Sequence, residues 1–222
     1  DYNTLNMVKI AERSDSHAFG GKEVFVIYLD GGKEGEILMP QKYVPEGIKT
    51  GDEIRCFVYL DQDERPIATT ETPLVKTGEF GYLECTWVNE YGAFLNWGLM
   101  KDVFCPFREQ KRKMEIGERY IVYLYIDEES YRIVASAKVE RFLQDLTTDN
   151  SESDGNENRN KLQVGMKLPI LIWQKSPLGF KVIIDNRYQG LIYQDQIFRL
   201  VHTGDRMQGY IQNIRKDGKV DV

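Results

Sequence analysis

A strand-length pattern that begins with a glycine and an acid occurs three times in this chain, and it restricts the fold more than any other feature. Gly51-Asp52-x-Ile54-x-x-Phe57-Val58-x-Leu60-Asp61 returns as Gly117-Glu118-x-Tyr120-x-x-Tyr123-Leu124-x-Ile126-Asp127. It returns again, shortened, as Gly204-Asp205-x-Met207-x-x-Tyr210-Ile211. Two copies share a tail, Arg65-Pro66-Ile67-Ala68-Thr69 and Arg132-Ile133-Val134-Ala135-Ser136. Each copy follows a short apolar run: Glu36 to Pro40, Asp102 to Pro106, and Gly190 to Tyr193. A unit of roughly sixty to seventy residues suffices for a small five-stranded barrel, and tandem units are expected to support one another's marginal cores.

The 222 residues therefore divide into several small domains rather than one large one. Thirteen Tyr, ten Phe and β-branched apolar runs favour strands over helices. The expected division is a first barrel over residues 1–72, a second over 73–146, a linker over 147–160 and a third barrel over 161–222. Between Thr147 and Asn158 there is no apolar residue, so burial cannot offset the entropy of ordering and a flexible linker is expected. Short helical turns are expected in 106–116 and 194–201.

The net charge of −6 conceals a gradient. Residues 1–72 carry 8 Lys and Arg against 14 Asp and Glu, whereas residues 161–222 carry 10 against 5. Screening makes phosphate affinity a matter of local cation density, so the third copy is the best electrostatic candidate. Cys56, Cys85 and Cys105 lie inside predicted strands and read as buried thiols of a reducing compartment. No apolar stretch approaches a membrane span, and no signal-peptide pattern opens the chain. His17 and His202 have no metal-ligand spacing and no glycine-rich phosphate cradle precedes a helix, so neither enzyme nor cofactor is expected.

Tyr91-Gly92-Ala93-Phe94-Leu95, then Val103-Phe104-Cys105-Pro106, then Gly117 to Ser136 with Asp127 and Arg132, resemble the S1-type RNA-binding domain. Pro106 stands where that family usually has His. The whole is similar to the conserved virulence factor B family of bacterial RNA-binding regulators, in which three S1-like units precede a winged helix. Met39 to Gly47, Asp61 to Thr70 and Phe104 to Gln110 carry that likeness. It implies an all-β chain of three tandem five-stranded OB-fold barrels, cytoplasmic, binding single-stranded RNA without catalysis in post-transcriptional or translational regulation. It also implies that a winged helix is missing from this chain.

In such barrels bases stack on aromatic rings of strands two and three while cations hold the backbone. Carried over, the second copy offers Tyr91 and Phe94 for stacking with Asp127 and Arg132 as polar partners. In the third copy Lys181 takes an aromatic position, Tyr193 the His position, and Arg215 and Lys219 those of the Asp and Arg. Lys175 and Arg187 add cations, so the third copy reads as the phosphate grip. The first copy's matching residues, Phe25, Tyr28, Pro40, Asp61 and Arg65, lie in acidic surroundings that favour weak binding or none. Each ring has an alternative as core, since alternation does not say which face is wet. Trp97 is expected to cap a barrel end, with stacking on a base as the alternative, and Arg65 and Arg132 to brace hairpins if they do not bind. The alternative function is a protein-interaction scaffold that binds ribosomal or other proteins, and single-stranded DNA is a third ligand.

Overall fold

The computed structural model describes residues 4–19, 22–61, 64–144, 146 and 162–222. The expected linker, 147–160, lies outside the described residues.

The first copy is a closed barrel of β1 (Thr4–Phe19), β2 (Lys22–Asp30), β3 (Glu36–Pro40), β4 (Glu53–Leu60) and β5 (Pro66–Thr69), in the order β1-β2-β3-β5-β4. The second repeats that circuit with β6 (Phe80–Val88), β7 (Gly92–Asn96), β8 (Val103–Pro106), β9 (Arg119–Ile126) and β10 (Ile133–Ser136). The third comprises β11 (Lys167–Ser176), β12 (Gly179–Ile184), β13 (Tyr188–Tyr193), β14 (Arg206–Tyr210), β15 (Asn213–Ile214) and β16 (Val220–Asp221). It forms a curled six-stranded sheet in the order β14-β11-β12-β13-β16-β15. The sixth strand arises because the third copy's fourth strand breaks after Tyr210. Ile211 there exchanges backbone bonds with Gly165 and Met166, while the Gln212 N–H turns to the Asp221 carbonyl. The helical turns are shorter than expected, three residues each at Phe107–Glu109 and Gln194–Gln196.

Alternation sorts the side chains. In the first barrel Leu29, Ile37, Met39, Ile54, Cys56 and Val58 point inward to one core. Ala93, Leu95, Val103 and Cys105 are the corresponding buried residues of β7 and β8, and Ile170, Ile172, Val182 and Ile184 those of the third sheet. All three cysteines are buried and outside disulfides, and burial pushes the Cys56 thiol up to about 11.

By contacts the chain splits into two compact units. One holds Asp1–Gly78, Leu83–Arg119 and Leu124–Ser136, the other Glu79–Tyr82, Tyr120–Tyr123 and Ala137–Val222. In the second unit Phe80 and Ile121 pack with Leu171, Trp173 and Ile183. The Tyr123 ring stacks on Phe142 with centroids 4.2 Å apart, and Asn186 Oδ1 accepts the Phe80 N–H at 2.8 Å. Thus Tyr123 is covered by a following segment rather than by its own barrel's interior.

Two equivalent glycines open the second strand of their copies. Gly92 and Gly179 have φ of 159° and 151°, and a Cβ on Gly179 would come within 2.0 Å of the Ile192 carbonyl oxygen. Gly179→Ala should cost on the order of 2–4 kcal/mol from backbone strain plus overpacking, read as a lowered midpoint in urea unfolding. An unchanged midpoint would contradict this close approach.

Candidate nucleic-acid interface

Register pairs the three copies residue by residue. Tyr28 faces Leu38, Leu38 faces Ile67 on β5, and Ile67 lies opposite Tyr59 on β4. In the second copy Trp87 faces Phe94, Phe94 faces Phe104, and Phe104 faces Val134. The third runs Gln174, Lys181, Leu191, Asp221, Asn213. Tyr28, Leu38, Tyr59, Phe94, Phe104 and Lys181 lie on the outer face, because their strand neighbours Leu29, Met39, Val58, Leu95, Cys105 and Val182 are core residues. A shift in register falls between Cys85 and Trp87, and at the same place between Ile172 and Gln174. That shared irregularity turns Trp87 and Gln174 onto the outer face.

The three rows differ sharply. In the second copy Trp87 is 60% exposed, Phe94 and Phe104 are half-buried, and their rings lie 5.2 Å apart with a 39° tilt. Tyr91, at the hairpin tip, is 67% exposed. Asn89 Oδ1 sets that tip by accepting the N–H groups of Tyr91 at 2.8 Å and Gly92 at 3.2 Å. Phe107 is partly exposed beside it, with Lys113 Nζ 5.9 Å from the ring centroid. The result is an open aromatic platform with Lys113 at Phe107, preceded in the chain by the exposed Arg112 and Lys111. Tyr91 and Phe94 were named by the sequence; Trp87, Phe104 and Phe107 were not. The irregularity at Thr86 hid Trp87, because strict alternation from Cys85 would place it in the core.

The polar partners form a turn common to all copies. The N–H of Asp61 donates to the Arg65 carbonyl, that of Asp127 to Arg132 and that of Arg215 to Lys219. The residue before each closing cation is left-handed: Glu64, Tyr131 and Gly218, with φ of 60°, 55° and 80°. Arg65 braces its turn, its Nε 2.9 Å and Nη2 2.8 Å from Asp61 Oδ2. In the second copy the cation paired with Asp127 is Arg108, at 2.9 Å, whereas Arg132 reaches Glu64 Oε1 at 3.3 Å. The Ser130 hydroxyl bond, then its backbone N–H and Arg108, hold the Asp127 carboxyl below its ordinary range. Burial and the neighbouring Glu109 carboxylate raise the Tyr125 hydroxyl.

In the third copy the charges exchange places. Arg215 stands where the acid does, and Asp221 occupies the row. Arg215 Nη2 lies 2.5 Å from Asp221 Oδ1 and its Nε donates to Oδ2 at 3.2 Å, while it also donates to the Tyr193 hydroxyl. Arg215 is therefore charge-compensated rather than a simple phosphate cation. Lys181 Nζ lies 5.5 Å over the Trp173 ring, Lys219 lies 3.8 Å from Asp217, and Lys175 and Arg187 are exposed. Arg206 is spent on the Phe80 carbonyl.

In the first copy Tyr28, Leu38, Ile67 and Tyr59 are none of them more than 6% exposed. Trp97 packs edge-on against Phe57 and Tyr59, with centroids 5.8 and 6.3 Å away at 82° and 86°. Trp97 is 3% exposed against these rings of the first copy, and its Nε1–H donates to the Lys101 carbonyl at 2.6 Å.

Residues 22–71 match the S1 domain family. Over 194 residues the chain is 26% identical to the uncharacterized protein YitL of Bacillus subtilis (strain 168), covering 85% of this chain. It spans 62% of that relative's length. The crystal structure of a multidomain protein with nucleic acid binding domains from Streptococcus pneumoniae TIGR4 aligns with 99% of this chain and 72% of its own, at 16% identity and a TM-score of 0.49. Drosophila Unr CSD456 aligns with 94% of this chain and 90% of its own, at 14% identity and a TM-score of 0.22. The first copy thus matches the S1 domain and the strand register of the two later copies is S1-like too; the likeness to virulence factor B proteins is not established by these matches.

Arg215, first of all by its hydrogen bonds, holds the Asp221 carboxyl below its ordinary value of 3.8. A depressed folded value means the stabilisation is complete above the ordinary carboxylate range and fades as pH falls through the folded value. Asp221→Asn should therefore lower the thermal midpoint at pH 7, with the difference from wild type shrinking below pH 4. A pH-independent difference would contradict the ion pair.

Proposed function

We propose that this protein binds single-stranded RNA on the outer aromatic face of its second copy. The observation that carries this reading is the row Trp87, Phe94 and Phe104, with Tyr91 beside it, left open to solvent. Exposed rings at neighbouring register positions cost hydration free energy unless a ligand covers them. Planar bases suit them, because every base presents a π-face and stacking is indifferent to sequence. Lys113 supplies a cation at Phe107, with Arg112 and Lys111 preceding it in the chain. The S1 family match over residues 22–71 supports the same class of ligand, although it falls on the copy whose own face is covered.

In this reading the third copy contributes charge more than stacking, through Lys175, Lys181, Arg187 and Lys219. The first contributes neither. The role is binding without catalysis, in the cytoplasm, in the control of RNA use. Among the described residues no cluster of three or more His, Cys, Asp and Glu could hold a metal ion, and no helix is long and apolar enough to cross a membrane.

A second reading, docking of a protein partner such as a ribosomal protein, draws on Phe198 and Leu200 of the third copy, 94% and 83% exposed. Nuclease treatment separates the two, since a protein partner stays bound and an RNA-bridged one is released.

Fluorescence titration with an unstructured oligoribonucleotide tests the leading reading. Trp87→Ala and Phe94→Ala should each weaken binding roughly five- to 150-fold, the equivalent of about 1–3 kcal/mol per stacked base. Affinity should fall as salt rises. Unchanged affinity in the double variant would sink the platform, and equal affinity for the matching DNA strand would remove any preference for RNA.

A further inference from the structure

We infer that the first copy holds a latent site for a purine base, occupied within the same chain by the indole of Trp97. The inference extends the platform reading to a second face but stands on its own geometry.

Tyr28, Leu38, Ile67 and Tyr59 occupy the same outer row as the open platform of the second copy, and they too are rings and large aliphatics. An outer barrel face normally carries polar groups, so an apolar row there needs a cover. Part of that cover is Trp97, edge-on to both Phe57 and Tyr59, whose own rings stand 6.1 Å apart. Trp97 follows Asn96, whose Oδ1 accepts the Gly98 N–H at 2.8 Å. The first copy builds the same turn with Asp30 Oδ1 and the Gly32 N–H at 2.9 Å, and there the position of Trp97 is Gly31. The turn itself therefore does not require an indole.

A second observation points to a ligand chemistry. Among the described residues the buried Tyr59 hydroxyl has no hydrogen-bond partner, and burial, with the acids Glu71 and Asp61 among its neighbours, pushes it upward. Trp97 cannot satisfy it. The indole has one polar atom, and that N–H is already given to the Lys101 carbonyl. A purine has the same fused five- and six-membered outline but carries ring nitrogens that accept. Placed where the indole lies, it would meet the same two rings and offer the hydroxyl an acceptor. The first copy is thus closed to polymer not by its acidity alone but because its aromatic site is filled in cis.

Thermal midpoints of the full chain with adenosine as probe test this. Adenosine at millimolar concentration should raise the midpoint of Trp97→Ala while leaving wild type unmoved, through binding to the folded state alone. The shift should vanish in Trp97→Ala with Tyr59→Leu and persist in Trp97→Ala with Phe94→Ala. The last variant separates this site from the second copy's platform, so either can fail without the other. Should Trp97→Ala not fold, adenosine added during refolding should restore it, and Trp97→Val carries the same comparison. No shift in either variant, or a shift equal to wild type's, overturns the inference.

Discussion

Closing five short strands into a barrel fixes which residues are inside, and everything distinctive about this protein follows from what that leaves outside. Each strand has a period of two, so half its side chains must fill the interior at near-crystal density. Leu29, Met39 and Val58 in the first copy and Ile172, Val182 and Ile184 in the third meet that demand with the same residue types. Inward positions have little freedom. Outward ones have much, and the three copies have used it differently.

The three outer rows amount to three treatments of one surface. In the first, aromatic and aliphatic side chains are kept but covered. The second leaves its rings in water, which is unfavourable unless something binds them. The third replaces rings with Gln174, Lys181, Asp221 and Asn213 and draws Arg215 onto Asp221. Exchanging the acid and the base between turn and sheet keeps the turn, since the Arg215-to-Lys219 backbone bond survives. Lys216 and Lys219 sit in the same turn as Arg215, so the cations of this copy lie both there and on the sheet side, at Lys175, Arg187 and the partly covered Lys181.

The barrels themselves were legible in the sequence because Gly51, Gly117 and Gly204 open the same strand and Asp61 and Asp127 end it. Even the matching of Lys181 to Phe94 and of Tyr193 to Pro106 agrees with the strand register, Gly179 pairing with Tyr193 as Gly92 does with Pro106. The break of the fourth strand after Tyr210 was not legible, since Ile211 and Ile214 lie on either side of Gln212-Asn213 and read as one strand with Met207 and Tyr210. Neither was Trp87, whose outward aim depends on a bulge that alternation cannot register. The ring partners of Trp97 were not legible for a different reason: they are Phe57 and Tyr59, forty and thirty-eight residues earlier in the chain, and no local pattern announces a partner that far away. Arg215 shows the same limit, a cation by composition whose charge is answered by Asp221.

Photocrosslinking of a 4-thiouridine-substituted oligoribonucleotide, with the linked residues identified by mass spectrometry, tests the central claim most directly. Adducts concentrated on Trp87, Tyr91, Phe94 and Phe104, with none on Phe57 or Tyr59, are the predicted result. Adducts confined to the third copy, or spread over the first copy's covered rings, would contradict an open platform on the second.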